Sequence, residues 1–136
     1  MSARNGVLYR EVTTGFDEED NPIKERLGFS FTMNFWNAFC KLENIKMSDI
    51  GIVFNISNPR FFEVCQNVLY CSALAYAEVR DIPFNHSPKI AGEWITEMEQ
   101  EEFNEIVHQM TESRFFGKNL SGLRANNKAE NPEKAA

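Results

Sequence analysis

Histidine and cysteine are scarce in this chain, and basic clusters are missing from most of it. The 136 residues include only His86 and His108, with no Cys or His three or four places from either. A zinc site needs several convergent donors, so neither histidine is expected to be a zinc ligand. Cys40, Cys65 and Cys71 are odd in number, unpaired in spacing and each set in an apolar run. They read as buried free thiols rather than a disulfide framework. Lys and Arg are scattered before the C-terminal tail, and the net charge is −6. Without a basic stripe the chain lacks the means to grip a phosphate backbone, so nucleic acid is not the expected partner. The uncharged stretch Val64–Ala77 is too short for the ~20 apolar residues of a membrane span. The first ten residues hold no apolar core of a secretory signal. There is no GxSxG, P-loop or dinucleotide fingerprint.

What is present is a core. The chain is 43% hydrophobic and carries twelve Phe, enough for one packed domain. Residues 7–13 and 23–32 read as strands. In the second, Ile23, Leu27, Phe29 and Phe31 alternate with Lys24, Arg26, Ser30 and Thr32, the period of a half-buried strand. The acidic segment Gly15–Pro22 between them reads as a hairpin loop. Asp17, Glu19 and Asn21 occupy the first, third and fifth places of a calcium loop. The sixth is Pro22 and the twelfth Gly28, where Gly and Glu are needed, so that pattern fails.

After Thr32 the period becomes helical. Phe35, Trp36, Phe39, Cys40 and Leu42 share a face, with Asn34 as N-cap and an end near Asn44. Ser48 is placed to cap a short helix to Phe54. Asn58 followed by Pro59 reads as the start of a helix to Arg80, apolar on nearly every side and therefore central. Its Ser72, Ala73, Ala75 and Ala77 would admit close neighbours. Ser87 and Pro88 repeat the start signal, for a helix to Met98 carrying Trp94. A last helix, 99–114, places Phe103, Ile106, Val107 and Met110 on one face. The expected fold is therefore mainly α: an N-terminal β-hairpin followed by a compact bundle of about four to five helices. One domain spans 1–116, and 117–136 reads as a disordered, flexible tail.

Two features suggest binding. From Lys89 to Arg114 no Lys or Arg intervenes, while Glu93, Glu97, Glu99, Glu101, Glu102, Glu105 and Glu112 do. A solvated face is the plain reading. A docking surface for a basic or amphipathic segment, with Glu99, Glu102 and Glu105 at its centre, is the functional one. Phe115 and Phe116, at the margin of the fold, either complete the core or form an exposed contact patch.

The order of elements resembles the tail assembly chaperones of long-tailed phages. Four segments carry the resemblance: Leu27–Phe31 leading into Met33–Glu43; the Met47–Ile50 turn; the apolar helix around Val68–Leu74; and Ser87–Ile95 before a Glu-rich helix. The resemblance covers residues 23–116. It implies a non-enzymatic protein without cofactor or metal that keeps the tape measure protein soluble until the tail tube polymerises. It also implies contact with tail tube subunits, rings or filaments of the chain itself, residence in the cytoplasm of the bacterial host and absence from the mature virion. A small helical adaptor retained in the virion is the alternative reading.

Overall fold

The computed structural model describes residues 3–4, 7–112, 114–115 and 118–119, with side chains over 7–112. A short strand β1 (Ala3–Arg4) pairs with β2 (Val7–Phe16), which pairs with β3 (Pro22–Ser30), all antiparallel in the order β1-β2-β3. The β2–β3 register runs from Val7 opposite Ser30 to Phe16 opposite Pro22, with an irregularity between Thr13 and Gly15. β2 runs further than expected, to Phe16, and β3 begins at Pro22 but ends at Ser30, two residues before the expected end; at the tip Asp17 makes a five-residue turn by itself. Its Oδ1 accepts the N–H groups of Glu19 and Asn21, both at 2.9 Å, while Asp20 takes a left-handed φ of 66°. At the C-terminal end of β3 Gly28, Phe29 and Ser30 are all buried, so both faces are covered there and Ser30 is not on an exposed face as the alternation implied. Phe29 is fully buried, but Ile23 is 45% exposed, because the tip of the hairpin runs out beyond the helices.

Helix α1 (Met33–Glu43) buries Phe35, Trp36 and Phe39, the face that its periodicity marks. Its N-cap is Thr32 rather than Asn34, and Leu42 remains 42% exposed at the edge of the face. It stops at Asn44, whose left-handed backbone ends the helix while Ile45 N–H reaches the Cys40 carbonyl. A single 3₁₀ turn, Met47–Asp49, leads into the one-turn helix α2 (Ile50–Val53). Lys46 stands in the cap position instead of Ser48, and its N–H donates to Asp49 Oδ2.

Helix α3 (Phe61–Val79) begins two residues after Pro59. Asn58 spends its side chain on the turn before it, accepting from Arg60 N–H and donating to the Val53 carbonyl, so it caps the turn and not the helix. As expected of a helix apolar on most sides, α3 is central, packed by α1 and β3 along its length. Ser72, Ala73, Ala75 and Ala77 are buried in these contacts. Their small side chains let the neighbouring backbones come close.

Ser87 stands at the N-cap position, without a side-chain cap bond, of a 3₁₀ turn, Pro88–Ile90, that runs into α4 (Ala91–Glu97), followed by α5 (Gln100–Thr111). Met98, with an extended backbone, breaks the two apart. A two-residue pair, β4 (Arg114–Phe115) against β5 (Lys118–Asn119), follows α5. The architecture is an N-terminal hairpin with five α-helices, mainly α. Its core centres on Trp36, Trp94, Phe29, Phe35 and Phe39, each at most 1% exposed. Burying each of these rings contributes about 1.5–3 kcal/mol. Phe116 and the expected tail 117–136, apart from the backbone of Lys118 and Asn119 in β5, lie outside the described residues.

Candidate protein-binding surface

The hairpin is held to the helices by polar groups that also decide which acidic side chains face solvent. Trp94 Nε1 donates to the Thr13 carbonyl at 2.7 Å. Glu97 accepts from the Thr13 N–H and hydroxyl and from Lys24 Nζ. Arg10 pairs with Glu102 at 2.6 Å and also donates to the Glu97 carbonyl. Burial pushes the Glu97 carboxyl up, but the bonds from Lys24 and Thr13 outweigh it and hold it below the usual range. The Arg10 guanidinium holds Glu102 low in the same way. Glu102, read from sequence as part of a docking face, is therefore a clasp on the hairpin. It also accepts the Glu99 N–H at the start of α5. Glu93, Glu99 and Glu101 are exposed and Glu105 half-buried, and these carry the acidic surface.

A second clasp was not foreseen. Glu43, at the end of α1, has a fully buried side chain that takes both guanidinium nitrogens of Arg60 at 2.9 and 3.2 Å and the amide of Asn67. It ties the end of α1 to the start of α3. The signal lay in Asn67, a polar residue inside the apolar run of α3, which needs a buried partner.

The apolar residues of α5 divide in two. Ile106 and Met110 enter the core, whereas Phe103 is half-buried and Val107 is 37% exposed. Opposite them stand α2 with Phe54 and the first turns of α3. Between lies a groove of about 270 Å³, walled by Trp36, Ile50, Phe61, Cys65, Phe103 and Val107. Among the described residues its lining is almost all carbon, with the Thr111 hydroxyl as an exception. Beside it, the corner from α2 to α3 leaves Ile52 at 69%, Ile56 at 80% and Phe62 at 80% exposure. These are the three most exposed large apolar side chains among the described residues, and they fall within eleven positions of sequence. The local reason is the brevity of α2. One turn can turn Ile50 and Val53 inward only by turning Ile52 outward, and Phe61 facing the groove sends its neighbour Phe62 to solvent. An apolar cleft beside exposed apolar side chains is the physical form of a protein-binding surface.

The other candidate chemistries do not assemble. His86 lies 3.5 Å from Glu25 and against the ring of Phe84, and His108 is exposed on α5. Among the described residues no group of three metal-ligating side chains comes together, and no helix is long and apolar enough to cross a membrane. The three cysteines are free. Burial, with Glu43 and Cys40 nearby, pushes the Cys71 thiol up to about 12, and burial raises Cys65 and Cys40 as well. None is poised as a thiolate nucleophile. Asp17, Glu19 and Asn21 are absorbed by the hairpin turn, with Asp17 Oδ1 already accepting two N–H groups. Of the residues singled out from sequence, Glu99 and Glu105 lie on the acidic surface, Glu102 is committed to Arg10, and Phe115 is in β4, its side chain outside the description. Trp36, Phe103 and Val107 were read from sequence as parts of apolar helical faces and Cys65 as buried, but Ile50 and Phe61 were not singled out, and the groove between them was missed. Comparison with known proteins finds no match to a protein-family model, to a curated protein or to a solved structure.

Proposed function

We propose that this protein is a non-enzymatic chaperone of phage tail assembly, which binds the tape measure protein in the cytoplasm of the host and is released as tail tube subunits polymerise. The observation that carries this reading is the apolar groove between α2, α3 and α5, together with the exposed Ile52, Ile56 and Phe62. A long helical partner with one apolar face aggregates when that face is bare. The groove accepts side chains spaced i, i+4 and i+7 along such a face, and the α2–α3 corner extends the contact. Each large apolar side chain covered contributes about 1.5–3 kcal/mol before the cost of association, so a few anchors give a reversible grip. The exposed Glu99 and Glu101, with Glu105, add charge that keeps the complex soluble.

The test is co-expression with the tape measure protein of the same genome. The expected result is that the partner is insoluble alone, soluble with this chain, and co-purifies with it. Phe62→Ser and Val107→Glu should each abolish co-purification while leaving the far-UV circular dichroism spectrum unchanged. An insoluble partner with nothing co-purified would refute the reading. Proteomics of purified virions then separates the chaperone, which should be absent, from an adaptor, which should remain.

A further inference from the structure

The outer edge of β3 borders a second groove. Thr13 spends its N–H on Glu97 and its carbonyl on Trp94, both in α4. In an antiparallel ladder such a residue belongs to a pair whose backbone groups point away from one another, and these pairs recur at every second position. Thr13 is opposite Lys24, Glu11 opposite Arg26 and Tyr9 opposite Gly28. Lys24, Arg26 and Gly28 therefore aim their N–H and C=O groups at the outer edge of β3. That strand ends the order β1-β2-β3, and among the described residues nothing pairs with its outer edge.

The connector after α3 runs alongside. Asp81, with a left-handed φ of 53°, turns the chain, and the Ile82 N–H reaches back to the Ala77 carbonyl. His86 then comes within 3.5 Å of Glu25. Between this connector, the end of α3 and residues 25–28 lies a groove of about 430 Å³, with Leu27, Ala73, Ala77, Ile82 and Phe84 supplying apolar surface. It shares no lining residue with the groove between α2, α3 and α5. Two guanidiniums stand beside it. Arg26 lies 4.5 Å from the centroid of the Tyr9 ring and Arg80 4.0 Å from that of Tyr76, and the two rings meet edge to face at 5.6 Å. Among the described residues neither arginine has a carboxylate at ion-pair distance. Glu25 faces His86, and Glu11, across the ladder from Arg26, makes no ion pair with it. A guanidinium laid on a ring keeps N–H groups at its edge for a carboxylate.

We infer that the β3 edge is a docking site for an extended segment of a partner protein, one that carries an acidic residue within two places of a large apolar one. The main chain of the segment pairs with Lys24, Arg26 and Gly28 as a fourth strand. Its apolar side chain enters the groove, and its carboxylate meets Arg26 or Arg80. Charge selects this occupant. A second copy adding the same edge brings another Arg26 and Lys24 against the first, and like charges across a strand pair are destabilising. The site is separate from the proposed grip on a helical partner and does not depend on it.

The test uses the full chain and a display library of random short peptides. Enriched peptides are synthesised and titrated into the protein while backbone amide exchange is followed. The expected peptides place Asp or Glu within two positions of Leu, Ile or Phe, and their binding slows exchange at the exposed Lys24 and Arg26. Methylating the peptide backbone nitrogens should abolish binding with every side chain kept. R26E should weaken binding about tenfold and turn the preference of the library toward Lys and Arg. A library that yields no binder overturns the inference, as do peptides that need no acidic residue or that bind R26E equally well. Lys24 and Arg26 amides already protected in the free chain overturn it too, because the edge is then taken. Dimers formed through β3 do the same, because the occupant is then a second copy. If R26E unfolds, the methylated peptide still decides whether the main chain pairs.

Discussion

Gly28 meets the ring of Tyr76 so closely that a methyl group should not fit. A Cβ built on Gly28 lies 2.5–2.6 Å from three atoms of that ring. Carbon atoms in contact prefer ~3.5–4.0 Å, so the ring must retreat by about 1 Å. It is not free to do so. Tyr76 stands edge-on to Tyr9 with centroids 5.6 Å apart, its hydroxyl donates to that of Tyr9, and the Arg80 guanidinium lies 4.0 Å from its centroid. Overpacking of this kind costs about 1–3 kcal/mol. The smaller unfolded-state entropy of alanine offsets ~0.4–1 kcal/mol of that. Gly28→Ala should therefore lose about 1–2 kcal/mol, or roughly 4–8 °C in Tm for a domain of this size. Thermal denaturation of the single variants and the pair completes a cycle. With Tyr76→Ala in place the obstacle is gone, and Gly28→Ala should become neutral or slightly stabilising. Equal losses in both backgrounds would show that the Tyr76 contact is not the reason for glycine in β3.

Two further predictions concern the clasps. Arg60→Ala leaves the Glu43 carboxylate buried with only the Asn67 amide beside it. The loss should be about 2 kcal/mol, below the ~3–5 of a fully buried pair because Arg60 is half-exposed. Arg60→Ala with Glu43→Gln should recover part of it in urea denaturation, and no recovery would mean that the carboxylate charge is not what Arg60 satisfies. Glu97 and Glu102 both have their folded pKa lowered, so the unfolded state binds protons first. Their contribution is complete above the ordinary glutamate value of ~4.3 and is lost as pH falls through the lower folded values. The urea midpoint should drop below that pH, and E97Q/E102Q should flatten this part of the profile. A double variant that follows the wild-type curve would place the acid sensitivity elsewhere.

The elements were legible wherever one local pattern decided them. The aromatic period of α1, the apolar run of α3 and the Ser87–Pro88 start each act within a single helix, and each gave the right element. Boundaries failed where side chains had a choice of partner. Asn58 is a good helix cap by type, but it satisfies the preceding turn and the Val53 carbonyl instead. Asp17 closes the hairpin earlier than the composition of the loop implies. The long-range clasps were not legible, because the partners of Glu43, Glu97 and Glu102 lie 17, 84 and 92 positions away. The glutamates of this stretch look uniform in sequence, and only folding commits Glu97 and Glu102 to clasps while leaving Glu93, Glu99 and Glu101 exposed.

The same limit explains why the apolar face of the last helix gave no sign of the groove. Helical periodicity reports that Phe103, Ile106, Val107 and Met110 share a face, but not whether another element covers all of it. In α5 the cover is incomplete. Ile106 and Met110 join the core, while Phe103 and Val107 are left at the groove beside the one-turn α2. The deficit in α2 leaves the α5 face half-covered and puts Ile52, Ile56 and Phe62 in solvent at the same corner. Lengthening α2 by one turn should therefore stabilise the protein and lower its affinity for an apolar partner together. If the openness of this corner were incidental, the two would change independently.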